Sequence, residues 1–78
     1  MPMDWHERIY GDPKILGGKP IVRGTRLSVE FLLGLFANGW TEEQVLENYP
    51  RLTPEDLRAV FAFAAEVSGE QRLYQIPA

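Results

Sequence analysis

Cysteine is absent from this chain, and histidine occurs once, as His6. Without thiols there is no disulfide and no thiolate metal site, and a single imidazole falls short of the ligand set a metal centre needs. Long apolar runs are missing too. The longest, Ala59 to Ala65, is far below the ~20 residues of a bilayer span, so no membrane contact is expected. The start, Met-Pro-Met-Asp-Trp-His-Glu-Arg, is polar and lacks the apolar stretch of a secretory signal. These absences predict a cytoplasmic protein with no metal and no cofactor. At 78 residues there is room for one domain, and a core of that size buries only about 60–65% of the unfolded surface. With disulfides excluded, self-association is the common remaining means of stabilisation, and a homo-oligomer is expected.

Catalytic patterns are lacking as well. Gly18-Lys19 has the look of a phosphate loop, but Pro13 stands where the first glycine belongs and Pro20 follows the lysine in place of Ser or Thr. His6 has no Ser or Asp partner pattern. Glu42, Glu43 and Glu47 read as solvated acids at a helix start, so a non-enzymatic protein is predicted.

What the chain does have is one stretch of single-signed charge. Residues 14–26, Lys-Ile-Leu-Gly-Gly-Lys-Pro-Ile-Val-Arg-Gly-Thr-Arg, hold four of the eight basic groups and none of the eleven acids. The remainder has four bases against eleven acids, a balance of −7. Ile15-Leu16 and Ile21-Val22 flank the Gly17-Gly18 doublet, which predicts a tight hairpin forming an accessible basic ribbon. Ile9-Tyr10 reads as a further short strand able to pair with it, stopped by Gly11-Asp12-Pro13. Such a ribbon suits phosphate contact, and a two-stranded ribbon can enter a major groove. Equally, its cations can serve only to keep an edge strand soluble, with Arg23 or Arg26 paired to Glu30 or Asp12.

From Leu27 onward the periodicity is helical. Ser28 is placed to cap a helix in which Val29, Leu32, Leu33 and Phe36 form one stripe and Asn38-Gly39 the stop. Mid-helix Gly34 suggests close approach of another backbone. Thr41-Glu42-Glu43-Gln44 is a capping box opening a second helix that Pro50 ends, and Thr53-Pro54 opens a third that runs to about Val67. The third helix has two apolar lines: Leu57, Val60, Phe61 and Ala64, and Ala59, Phe63 and Val67. The second line needs a cover. Phe63 and Val67, with Leu73, Tyr74 and Ile76 of the tail, are the predicted partner or dimer interface. The organisation predicted is a flexible N-terminus over 1–8, one domain over 9–69 and a tail over 70–78.

Three helices with a short Pro50-Arg51-Leu52 connection fit a helix-turn-helix, so the fold class predicted is mainly α, with a short N-terminal β-hairpin before a three-helix bundle. Its reading helix would start with Pro54, Glu55 and Asp56, whose acids repel phosphates. The predicted nucleic-acid contacts are therefore Lys19, Arg23 and Arg26 of the ribbon, together with Arg51 and Arg58.

The string from Asp12 to Arg26 followed by Ser28-Val29-Glu30 closely resembles the domain-of-unknown-function family 433. Gly39-Trp40-Thr41-Glu42-Glu43, Tyr49-Pro50-Arg51-Leu52-Thr53 and Ala62-Phe63-Ala64-Ala65-Glu66 resemble it too, so the likeness covers about residues 9–67. It implies a homeodomain-like helix-turn-helix preceded by short strands. Some members are similar to VapB-type antitoxins paired with a PIN-like ribonuclease toxin. The function so implied is an antitoxin-like protein that neutralises such a toxin and binds its own operator DNA. The alternatives are a protein-interaction module without DNA binding, its acidic faces meeting a basic partner, and a stand-alone transcriptional regulator.

Overall fold

The structure, a computed structural model, describes residues 4–68. Two short strands, β1 (Ile9–Gly11) and β2 (Pro20–Val22), pair antiparallel and are followed by α1 (Val29–Ala37), α2 (Glu42–Asn48) and α3 (Pro54–Ser68). This is the predicted hairpin followed by three helices. No helix among the described residues is long and apolar enough to cross a membrane.

Each helix begins where a side-chain oxygen can accept an orphan amide. Ser28 accepts from the Phe31 amide at α1. Thr41 and Gln44 close a reciprocal capping box at α2, at 3.1 and 2.8 Å. At α3, Thr53 Oγ1 accepts from the Asp56 amide and Asp56 Oδ2 accepts from the Thr53 amide. α1 ends in a Schellman closure: Gly39, at φ 93°, donates to Phe36 O while Trp40 donates to Leu35 O.

The core is made where β2 meets the helices. Ile9, Val22, Val29, Leu32, Val45, Leu52, Leu57, Ala59 and Val60 form one buried cluster. Successive residues of a strand face opposite sides, yet Ile21 is buried as completely as Val22, so β2 is covered on both faces. This corrects the expectation of an accessible ribbon. The partner of β2 is β1, in the register Ile9 with Val22, Tyr10 with Ile21 and Gly11 with Pro20. Ile15-Leu16 is not a strand. Leu16, Gly17 and Gly18 take φ values of 52°, 66° and 90°, and three consecutive left-handed residues cannot continue an extended ladder.

Gly11 is where the two arms of that connection press together. A Cβ there would lie 2.8 Å from Gly18 O, a backbone atom with little freedom to retreat. Gly11→Ala is expected to cost about 1–3 kcal/mol, as overpacking does, read as a lowered urea midpoint. Gly34 is the opposite case. A Cβ there meets nothing within 4 Å, so no backbone approaches it, and the sequence expectation is corrected. Gly34→Ala is expected to stabilise by about 0.5–1 kcal/mol through helix propensity alone, raising the melting temperature.

The apolar second line of α3 is covered in part from the N-terminal side. Within the stretch expected to be flexible, Trp5–Glu7 form a 3-10 turn capped by Asp4. The Trp5 ring stands edge-on to Phe63 at 4.7 Å, and its indole N–H donates to the Glu66 carboxylate. Phe61 packs on Phe36 at 5.0 Å yet remains 45% exposed.

Candidate nucleic-acid interface

Two turns place the basic residues. In the first, Asp12 Oδ1 accepts from the Lys14 amide and Asp12 O from the Ile15 amide, folding the chain back toward the left-handed Leu16–Gly18 segment. Lys19 emerges at the start of β2. In the second, which follows β2, the Thr25 hydroxyl donates to Val22 O at 2.8 Å and accepts from the Leu27 amide at 3.0 Å. Gly24, at φ 85°, completes the reversal, and Arg26 is left at its exposed corner.

The five predicted cations have different surroundings. Lys19 Nζ donates to Glu30 Oε1 at 2.9 Å. Arg23 Nε donates to Glu7 O at 3.0 Å, and its guanidinium lies 4.3 Å above the Tyr10 ring. Arg51 Nη1 donates to Gly24 O at 3.2 Å, tying the α2–α3 connection to the second turn. Arg26 has no hydrogen-bond partner among the described residues. Arg26 and Arg51 both line an open cleft of about 680 Å³ whose other walls include Tyr10, Ile15, Leu27 and Tyr49. Lys19 and Arg26 also share a neighbouring apolar hollow beside Leu16 and Phe31. Arg58 lies exposed on α3 and lines neither. Four of the five cations are thus grouped around the β-turn region, and the fifth stands apart.

The Lys19 ammonium holds the Glu30 carboxyl below its ordinary value, first through the hydrogen bond and then through charge. Since the folded-state value is the lower one, the pair's contribution is complete above the unfolded value and is lost as pH falls through the folded one. Lys19→Met is expected to return Glu30 to the ordinary carboxylate range, measured by carboxyl carbon NMR across an acid titration.

Of the predicted partner residues, Phe63 and Val67 line one apolar groove of about 560 Å³ with Val29 and Leu33, rimmed by Lys19 and Glu30. Phe63 is half-buried and Val67 is 65% exposed. Leu73, Tyr74 and Ile76 lie outside the described residues.

Two features of this region are absent from the sequence reading. Tyr10 and Tyr49 are walls of the basic cleft. Asp56, read as an acid facing a phosphate, is 8% exposed and turned inward, its Oδ1 accepting from Arg8 Nη1 at 3.0 Å. Glu55 alone of that acid pair is exposed. The Thr53-to-Asp56 spacing is the signal that identifies Asp56 as a cap, because an acid three residues into a helix after Thr reaches back to the cap amide.

Comparison with known proteins gives a consistent grouping. Residues 9–64 match the family described as Protein of unknown function (DUF433). The uncharacterized protein y4eO of Sinorhizobium fredii (strain NBRC 101917 / NGR234) is 37% identical over 70 residues, covering 87% of this chain and 32% of that protein. A crystal structure of a DUF433 member from Anabaena variabilis ATCC 29413 superposes with a TM-score of 0.72 at 34% identity. It covers 87% of this chain and 66% of that one. The chain therefore spans about a third of the curated relative's length and just under two thirds of the solved one.

Proposed function

This chain belongs to the DUF433 family, which brings no assigned activity with it, and we propose that it is an antitoxin-like DNA- and protein-binding protein. In this reading it binds phosphates of its own operator through Lys19, Arg23, Arg26 and Arg51, on a homeodomain-like helix-turn-helix scaffold. It neutralises a PIN-like ribonuclease in the cytoplasm. The observation that carries the reading is the convergence of Arg26 and Arg51 on one cleft, with Arg23 beside it, in a chain whose net charge is −3. A basic focus on an otherwise acidic protein suits local phosphate contact at the focus and a basic protein partner elsewhere. The inward turn of Asp56 removes one of two charges that would oppose approach along α3. Arg58, which does not line the cleft, would add a phosphate contact only if α3 itself approaches DNA.

The groove holding Phe63 and Val67 suits a second copy of the chain. Its lining is apolar, with Val29, Leu33, Phe63 and Val67, and the two charges at its rim, Lys19 and Glu30, are already paired with each other within the chain.

The test is recovery of the tagged protein from its host, with bound protein and DNA identified. Capture of a small nuclease whose free activity is suppressed in the complex, together with promoter DNA, is the expected result. Recovery of the nuclease alone would leave the protein-interaction module without DNA binding, a reading that the engagement of Lys19 by Glu30 favours. Promoter DNA alone would leave a stand-alone regulator, and recovery of neither would overturn all three.

A further inference from the structure

We infer that the cleft between Tyr10 and Tyr49 takes an unpaired nucleotide, so that this face prefers single-stranded nucleic acid to duplex. The inference rests on the reading of this face as a nucleic-acid surface and departs from it in the ligand: a single strand, in place of the duplex operator, is what enters the cleft. Contact with the outside of a duplex needs only cations on a protruding surface. Here the arginines sit on the walls of a concavity of about 680 Å³, within the size range of sites that enclose small ligands. Ile15, Leu27, Pro50 and the two tyrosines supply apolar and aromatic lining beside the arginines, and no Asp or Glu among the described residues lines it.

The aromatic walls are held before any ligand arrives. Tyr10 is fixed by strand pairing to Ile21 and by the Arg23 guanidinium 4.3 Å above its ring. Tyr49 closes α2 with its amide on Val45 O, and its ring meets Phe31 edge-on at 5.8 Å. Rings already immobilised lose little freedom when a base stacks on them. Among the described residues Arg51 uses one N–H, on Gly24 O, and the Arg26 fork has no hydrogen-bond partner, so both guanidinium groups keep donors for a phosphate. Rings for a base, flanked by guanidinium groups for its phosphates, are the components of a single-strand site. Bases inside a duplex are stacked and paired, and cannot reach such a cleft without being extruded.

The experiment is fluorescence anisotropy on the full chain. It compares a labelled mixed-sequence single strand of about 12 nucleotides, within the usual span of single-strand sites, with the blunt duplex of the same sequence at equal salt. The single strand is expected to bind about tenfold tighter, the low end of what one stacked base contributes. Tyr10→Leu, which keeps an apolar residue opposite Ile21, is expected to bring single-strand affinity down to the duplex level. In parallel, the Tyr10 and Tyr49 ring resonances of the unmodified protein should shift on titration with the strand. Duplex binding equal to or tighter than single-strand binding, or unmoved tyrosine resonances, would overturn the inference while leaving the nucleic-acid reading intact. Failure of both nucleic acids to bind would overturn the two together.

Discussion

Asp56→Ala is expected to destabilise the protein by about 2–3 kcal/mol, a fall in melting temperature of roughly 10–20 °C for a domain of this length. Three hydrogen bonds meet at this residue. Its amide donates to Thr53 Oγ1 at 3.1 Å, one carboxylate oxygen accepts from the Thr53 amide at 3.0 Å, and the other accepts from Arg8 at 3.0 Å. Alanine keeps only the first. The carboxylate's bond to the Thr53 amide is worth about 1 kcal/mol as a net hydrogen bond, and the charge-assisted bond to Arg8 about 1–2 kcal/mol once solvent screening of the half-exposed guanidinium is allowed for. The position matters because Arg8 leads directly into β1, so the same carboxylate that starts α3 also fastens the first strand to it. Asp56→Asn, which can still accept from the Thr53 amide, should lose about half as much. Chemical denaturation followed by circular dichroism separates the three proteins. A loss below ~0.5 kcal/mol in the alanine variant, the size of an ordinary surface change, would mean that this junction does not hold the strand to the bundle.

The helices were legible because their signals are local. Ser28, Thr41 and Thr53 each sit next to the amides they cap, and Gly39 sits in the turn it allows, so a few adjacent residues determine each boundary. The hairpin was legible only in part. Ile9-Tyr10 and Ile21-Val22 both read as strands, but Gly17-Gly18 offered a nearer reversal than the real one. The connection from Asp12 to Lys19 instead depends on Asp12 capturing two amides and on Leu16 accepting a left-handed conformation, which its residue type disfavours. Gly34 misled for a related reason: a glycine in a helix marks a lost side chain, and only the packing tells whether anything fills the space. Lys19, Arg23 and Arg26 were visible as a charge run, whereas their convergence with Arg51 was not. Arg51 reaches Gly24 across 27 residues and Arg8 reaches Asp56 across 48, separations at which no pattern in the chain identifies a partner. The tyrosine walls were hidden similarly, since Tyr10 and Tyr49 each look like an ordinary apolar position within its own element.

Joint replacement of Arg26 by alanine and Arg51 by glutamine is expected to weaken nucleic-acid binding about 30-fold, at about 1 kcal/mol for each lost phosphate contact. The two residues are chosen because both line the cleft, and among the described residues neither is tied to an acidic side chain that would offset its charge. Lys19 differs, because a phosphate there must first compete with Glu30. The Arg51 bond to Gly24 O is exposed, so its loss should cost little stability, and glutamine retains a donor near that carbonyl. The salt dependence carries the discriminating information. Each phosphate neutralised by the protein adds about 0.7–0.9 to the slope of log affinity against log salt, so the double variant should show a slope smaller by about 1.4–1.8. A fall in affinity at unchanged slope would instead mean that the arginines shape the cleft without meeting phosphates. Arg58→Ala is the matched control: it removes one exposed positive charge from α3 at a position that does not line the cleft. If that single change lowers the affinity and the slope as much as the double one, the docking face is α3 and the cleft is a bystander. If it leaves both unchanged, the β-turn region is the face that meets nucleic acid.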